Sequence, residues 1–164
     1  VDFAETVAGS GLAAAKDAPL LLTRTSSLPS ATRQELDRLN PSKIIVVGGP
    51  SVVSNSVVSA LGAYAGTVTR LSGSDRYATS AKISEWGYPS GADRAFLAVG
   101  TDFADALAGA AIAGMDGGPI LLVTNTSIPS SVAAELSRLG ADRISLMGGP
   151  AAISYDVQDN VDDF

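Results

Sequence analysis

The sequence predicts an α/β fold, a parallel open sheet with helices on both faces, assembled from tandem copies of one unit. Three observations predict it. Apolar stretches without polar alternation, such as Ile120-Leu121-Leu122-Val123, read as strands covered on both faces. Amphipathic helical stretches follow such strands, which is the order of a parallel βα array. The segment Asp2–Leu61 aligns without a gap on Asp102–Val161, at an offset of about 100 residues and with roughly 22 identities in about 60 pairs.

The second copy shows the elements in order. Thr67–Leu71 is a short β-branched strand, and Ser72-Gly73-Ser74-Asp75 turns into a helix over about 76–86, with Ser74 or Asp75 as N-cap. Pro89-Ser90-Gly91 breaks that helix, and Arg94–Val99 reads as a buried strand. Asp102 opens an Ala-rich helix to about Met115, and Gly117-Gly118-Pro119 leads into the strand 120–123. Pro129 stands in the first turn of the next helix, where its missing N–H costs nothing; this helix runs to about Leu139. Arg143–Met147 is the last strand, it ends in Gly148-Gly149-Pro150, and a final helix starts near Ser154. The first copy adds strands near 20–23 and 44–47. Residues 1–66 are then the latter part of a first copy, and 67–164 a complete second one. How the partial copy completes its sheet is open: it shares the second copy's strands or pairs with another chain.

Composition excludes several function classes. The formal net charge of −6, with the basic residues scattered, argues against a nucleic-acid partner. Cysteine and histidine are both absent, which excludes disulfides, thiolate and imidazole metal sites, a Ser-His-Asp triad and a histidine base. No apolar run approaches the roughly 20 residues of a membrane span, so a soluble chain without a membrane partner is expected. Val1-Asp2-Phe3 shows no signal peptide; a processed chain and an excised fragment both fit. Gly9-Ser10-Gly11-Leu12-Ala13-Ala14 imitates a dinucleotide fingerprint but lies inside a predicted helix, and no Walker A or Gly-x-Ser-x-Gly motif occurs. No cofactor is implied.

Four motifs stand in a recognisable order: Arg70-Leu71-Ser72-Gly73-Ser74-Asp75-Arg76-Tyr77-Ala78-Thr79, Asp102-Phe103-Ala104-Asp105-Ala106-Leu107, Pro119-Ile120-Leu121-Leu122, and Gly148-Gly149-Pro150 with Ile153-Ser154. Together they resemble the type 2 cell-wall-binding repeat of Gram-positive surface proteins. The resemblance implies a Rossmann-like or Toprim-like module, usually in three copies packed as a pseudo-trimer. It also implies a secreted protein held non-covalently on an anionic polymer of the cell wall, beside a separate effector domain. Fewer than two copies are present here.

The candidate ligand-binding residues follow. Ser72, Gly73, Ser74, Asp75, Arg76 and Tyr77 offer hydroxyls, helix-start amides and one cation, suited to an anionic or sugar-hydroxyl ligand; the alternative is a plain helix cap. Asp102 and Asp105, echoed by Asp2 and Glu5, share a helix face and would hold a cation or a sugar, or else cap the helix. In the family Ile120, Leu121 and Leu122 are associated with polymer binding, yet an apolar central strand explains them equally. Gly148 and Gly149, echoed by Gly48, either let a ligand reach backbone amides or only permit a sharp turn. No residue is assigned as catalytic or as a metal ligand. The rival functions are a structural repeat that assembles with its own kind, within the chain or as a homo-oligomer, and a Toprim-like metal-dependent hydrolase. An acidic module that binds an anionic polymer needs local Arg contacts, sugar stacking or a bridging cation, because net charge works against it.

Overall fold

The computed structural model describes residues 3–101, 112–161 and 164. Its elements in chain order are α1 (Phe3–Ala15), α2 (Ser30–Leu39), β1 (Lys43–Val47), α3 (Asn55–Leu61), β2 (Thr67–Leu71), α4 (Arg76–Gly87), β3 (Arg94–Val99), β4 (Ile120–Val123), α5 (Ser130–Leu139), β5 (Arg143–Met147) and α6 (Tyr155–Val161). Residues 112–116 are also helical. No helix among the described residues is long and apolar enough to cross a membrane.

Every strand pairs in parallel, in two small sheets of order β1-β2 and β4-β3-β5. The central strand β3 sets Phe96 opposite Ile120 on one side and Arg94 opposite Arg143 on the other. Because β3 is bonded on both edges and covered on both faces, it tolerates almost no polarity, and Ala95 to Val99 are all buried. One face packs Leu97, Val99, Leu121 and Val123 under Val132 and Leu136 of α5 and Val157 of α6. The other face packs Phe96, Ala98, Ile120 and Leu122 against Val7 of α1.

Helix α1 therefore belongs to both halves. While Val7 covers the second sheet, Ala8 and Leu12 cluster with Ile45, Val47 and Leu71 of the first sheet and with Ile83 and Trp86 of α4. Its small residues permit this: a Cβ on Gly11 would stand 2.9 Å from Ile120 Cδ1. The Gly9-Ser10-Gly11 sequence is thus a packing feature inside a helix and not a phosphate loop. Strand β2, at the head of the second copy in sequence, pairs with β1 of the first copy.

One expected strand does not form. Residues 20–23 adopt no regular structure, although 120–123 are β4. The reason is the missing neighbour: β4 is held by β3, and no strand among the described residues lies beside 20–23. Ladder hydrogen bonds need two chains, and an apolar sequence alone does not supply them.

The helix ends obey local chemistry. Asp75, in extended backbone, caps α4 by accepting from the Ala78 amide at 2.8 Å. Pro29 and Pro129 stand immediately before α2 and α5, whose C-caps Asn40 and Gly140 are both left-handed.

Candidate functional site

Parallel sheets gather the loops that follow their strands along one edge, where open α/β folds place their binding crevices. Two predicted site segments lie at such carboxyl ends, Ser72–Tyr77 after β2 of one sheet and Gly148–Gly149 after β5 of the other, and Gly100 and Thr101, which the sequence did not single out, follow β3. Asp102 and Asp105, the expected helix-face carboxylates, lie outside the described residues.

The Ser72–Tyr77 loop is tightly organised. The Gly73 amide donates to Thr79 Oγ1 at 2.9 Å, and the same hydroxyl donates to the Asp75 carbonyl at 2.8 Å. A Cβ at Gly73 would stand 2.4 Å from Ala78 Cβ, so only glycine lets the loop lie against its helix. Arg76 Nη1 donates to the Gly100 carbonyl at 2.6 Å. Tyr77 flanks the same glycine: a Cβ at Gly100 would stand 3.0 Å from Tyr77 Cε1. The loop is thereby brought to the end of β3, directly ahead of Asp102. Ser74 and Asp75 stay exposed.

The turns after β1 and β5 share one design. Gly48 and Gly148 have φ of 106° and 124°, a backbone that L side chains rarely adopt. Their neighbours differ: a Cβ at Gly49 or Gly149 would meet nothing within 4 Å. Packing does not require glycine at these two positions, and their backbone faces open space.

Two residues that brace these turns escape sequence reasoning. Arg70, on β2, donates to the Gly48 carbonyl at 2.5 Å, the Val53 carbonyl at 2.7 Å and Asn55 Oδ1 at 3.3 Å. Asn125, after β4, donates through Nδ2 to the carbonyls of Ala151 and Ala152 at 2.9 and 2.6 Å, while its own carbonyl accepts from the Ser154 amide at 2.8 Å. Each links segments distant in sequence, so no local pattern signals it. Among the described residues no hydrogen bond joins Ser72–Tyr77 to Gly148 or Gly149.

Ile120, Leu121 and Leu122 are 2%, 0% and 1% exposed, hence core residues that do not reach the surface. Ser80 seals the outer edge of their strand: its hydroxyl accepts from the Leu122 amide at 3.0 Å and donates to the Tyr77 carbonyl at 2.7 Å. In the first copy a crevice of about 560 Å³ opens at the same edge, lined by Thr6, Leu20–Thr25, Val47 and Ser51–Val53. It combines hydroxyls and Arg24 with apolar walls. No group of three or more acidic residues that could hold a metal occurs among the described residues.

The profile of Cell wall binding domain 2 (CWB2) matches residues 2–58 and 70–158, one match per copy. N-acetylmuramoyl-L-alanine amidase LytC of Bacillus subtilis (strain 168) is 30% identical over 155 residues, covering 94% of this chain and 31% of that protein. The amidase enhancer of the same organism is 36% identical over 118 residues, covering 72% of the chain and 16% of its own length. Among solved structures, Cwp6 from Clostridium difficile superposes with a TM-score of 0.88 at 32% identity, over 98% of this chain and 26% of that one. The chain spans less than a third of each of these proteins.

Proposed function

The chain belongs to the cell wall binding domain 2 family, and from that premise we propose that it is a non-catalytic module holding a larger secreted protein on an anionic polymer of the cell wall. The observation that carries this reading is the family match, which runs through both copies. The amidase and the amidase enhancer are several times longer than the matched region, which fits an attachment part beside a separate working part.

The loops of the carboxyl edge support a ligand role. Gly49 and Gly149 present backbone to open space, and Ser74 and Asp75 are exposed. Since the chain carries a net charge of −6, recognition of an anionic polymer would rest on individual contacts, with Arg24, Arg76 and backbone amides as the nearest donors. Asp102 and Asp105, which follow β3 in the sequence, stay candidate ligand residues of the proposed site. Further copies of the repeat, in the same chain or in a homo-oligomer, are its expected protein partners.

The test is co-sedimentation with isolated cell walls, before and after extraction of their anionic polymers. Binding that survives extraction undiminished would refute the polymer assignment. Arg76→Ala sharpens it. Losing a charge-assisted hydrogen bond to ligand costs about 1.5–3 kcal/mol, or roughly ten- to a hundredfold in affinity. Wall binding should therefore fall at nearly constant melting temperature. If the variant instead melts early and binds normally once folded, Arg76 serves structure alone, through contacts such as that with Gly100.

A further inference from the structure

The turns after β1 and β5 match bond for bond in their backbone. The amides of Val52 and Val53 donate to the Gly49 carbonyl at 3.0 and 2.9 Å, and those of Ala152 and Ile153 to the Gly149 carbonyl at 2.9 and 3.0 Å. The amides of Ser54 and Ser154 donate to the carbonyls of Thr25 and Asn125, each at 2.8 Å. The side chains that hold the two turns nevertheless come from different places. Asn125 holds the second turn from within its own copy, through the carbonyls of Ala151 and Ala152. Thr25 stands at the matching position of the first copy, with one hydroxyl donor where Asn125 has two N–H. There the guanidinium of Arg70, from the second copy, takes the carbonyls of Gly48 and Val53 instead.

This fork closes the turn at both ends. Gly48 enters the turn and Val53 leaves it, and one planar group with two nitrogens spans them. The third acceptor is Asn55 Oδ1, so all three are neutral, and what they take from Arg70 is direction. A second link runs beside the fork: the Gly48 amide donates to the Leu71 carbonyl at 2.9 Å. Leu71 directly precedes the Ser72–Tyr77 loop, so the open backbone at Gly49 is fixed beside that loop by two adjacent links.

We infer that Arg70 is a positioning residue. It gives the Gly48–Gly49 turn its shape and its place beside Ser72–Tyr77, and the two segments, one from each copy, meet ligand as a single surface. Its effect on ligand rests on the wall attachment proposed above, whereas its effect on the turn does not. Because the fork matters and not the charge alone, lysine at this position cannot replace it. Because Asn125 performs the same task, an amide at position 25 can.

The experiment compares the original chain with Arg70→Ala, Arg70→Lys and the double variant Arg70→Ala with Thr25→Asn. Amide hydrogen exchange is read at Val52 and Val53, with Ala152 and Ile153 as the internal reference, and each chain is co-sedimented with isolated walls. Exchange at Val52 and Val53 should quicken by about tenfold or more in both single variants and slow again in the double one, with the reference amides unchanged. Wall binding should follow the same order: lost in the single variants, recovered in the double. Turn amides unchanged in either single variant would overturn the inference; for Arg70→Lys that result would mean that charge suffices. So would a double variant that stays fast, or reference amides that quicken alongside, which would make Arg70 a general stabiliser of the fold. If the turn opens while wall binding holds, the single surface is refuted. Walls that do not retain even the original chain refute the wall attachment itself, and the exchange arm still decides whether Arg70 positions the turn.

Discussion

Two segments of this molecule have almost the same composition and opposite fates. Ile120-Leu121-Leu122-Val123 is a strand with every side chain buried; Leu20-Leu21-Leu22-Thr23 is irregular and leaves Leu20 and Leu22 largely in solvent. The same divergence appears one helix later. Glu135 and Glu35 each grip the arginine three residues on, yet the Glu135 side chain is 6% exposed and that of Glu35 35%. The cause lies outside both segments: the second copy has α4 and β3 packed over these positions, and Ser84 of α4 donates to Glu135. Burial is conferred by the neighbour, so homologous residues carry unequal weight in stability.

The largest expected contrast is between Leu121→Ala and Leu21→Ala. Leu121 is fully enclosed, and its truncation should cost about 2–5 kcal/mol, read from urea or thermal unfolding. Leu21, only partly buried, should cost well under half as much. Equal losses would mean that both segments are equally enclosed in solution.

A second contrast comes from the glutamates. Removing Glu135 strands the buried Ser84 hydroxyl and frees Arg138, which also donates to the Tyr88 carbonyl at 2.9 Å and so ties α5 to the end of α4. Glu135→Ala should destabilise by about 1–3 kcal/mol. Glu35→Ala should leave the melting temperature unchanged within error, because an exposed pair on one helix contributes little.

The helix C-caps offer a smaller and reciprocal test. Asn40 holds φ of 44° where the second copy has Gly140 at 59°. Asn40→Gly should stabilise by a few tenths of a kcal/mol, and Gly140→Ala should destabilise by about 1 kcal/mol through left-handed strain. Melting temperatures moving in the same direction would contradict the matched cap geometry.

The smallest effect is in titration. The hydrogen bond from Arg38 holds the Glu35 carboxyl below its ordinary value. A native value below the unfolded one adds stability above the unfolded value, and this is lost as pH falls through the native one. Exposure keeps that contribution slight. Arg38→Ala should return the Glu35 carboxyl, followed by NMR, to the ordinary carboxylate range.

Much of the candidate site was legible because its chemistry is local. Asp75 caps the helix three residues ahead of the amide it binds, and Gly48 and Gly148 mark turns that only a positive φ allows. Arg70 and Asn125 were not legible. Each acts on carbonyls 17 to 27 residues away, so even for Arg70, which opens a recognised motif, local sequence does not reveal the bracing role.

By itself the sequence determined the duplication, the parallel α/β class, five of the six strands expected, and where the helices after β2, β4 and β5 begin. These follow from apolar patterning, capping side chains and proline or glycine geometry, which act over a few residues. Only the tertiary structure decided that β2 pairs with β1, that α1 covers both sheets, and that 20–23 stays out of any ladder. A strand is fixed by hydrogen bonds to another strand, and whether that partner stands alongside depends on how distant parts of the chain come together.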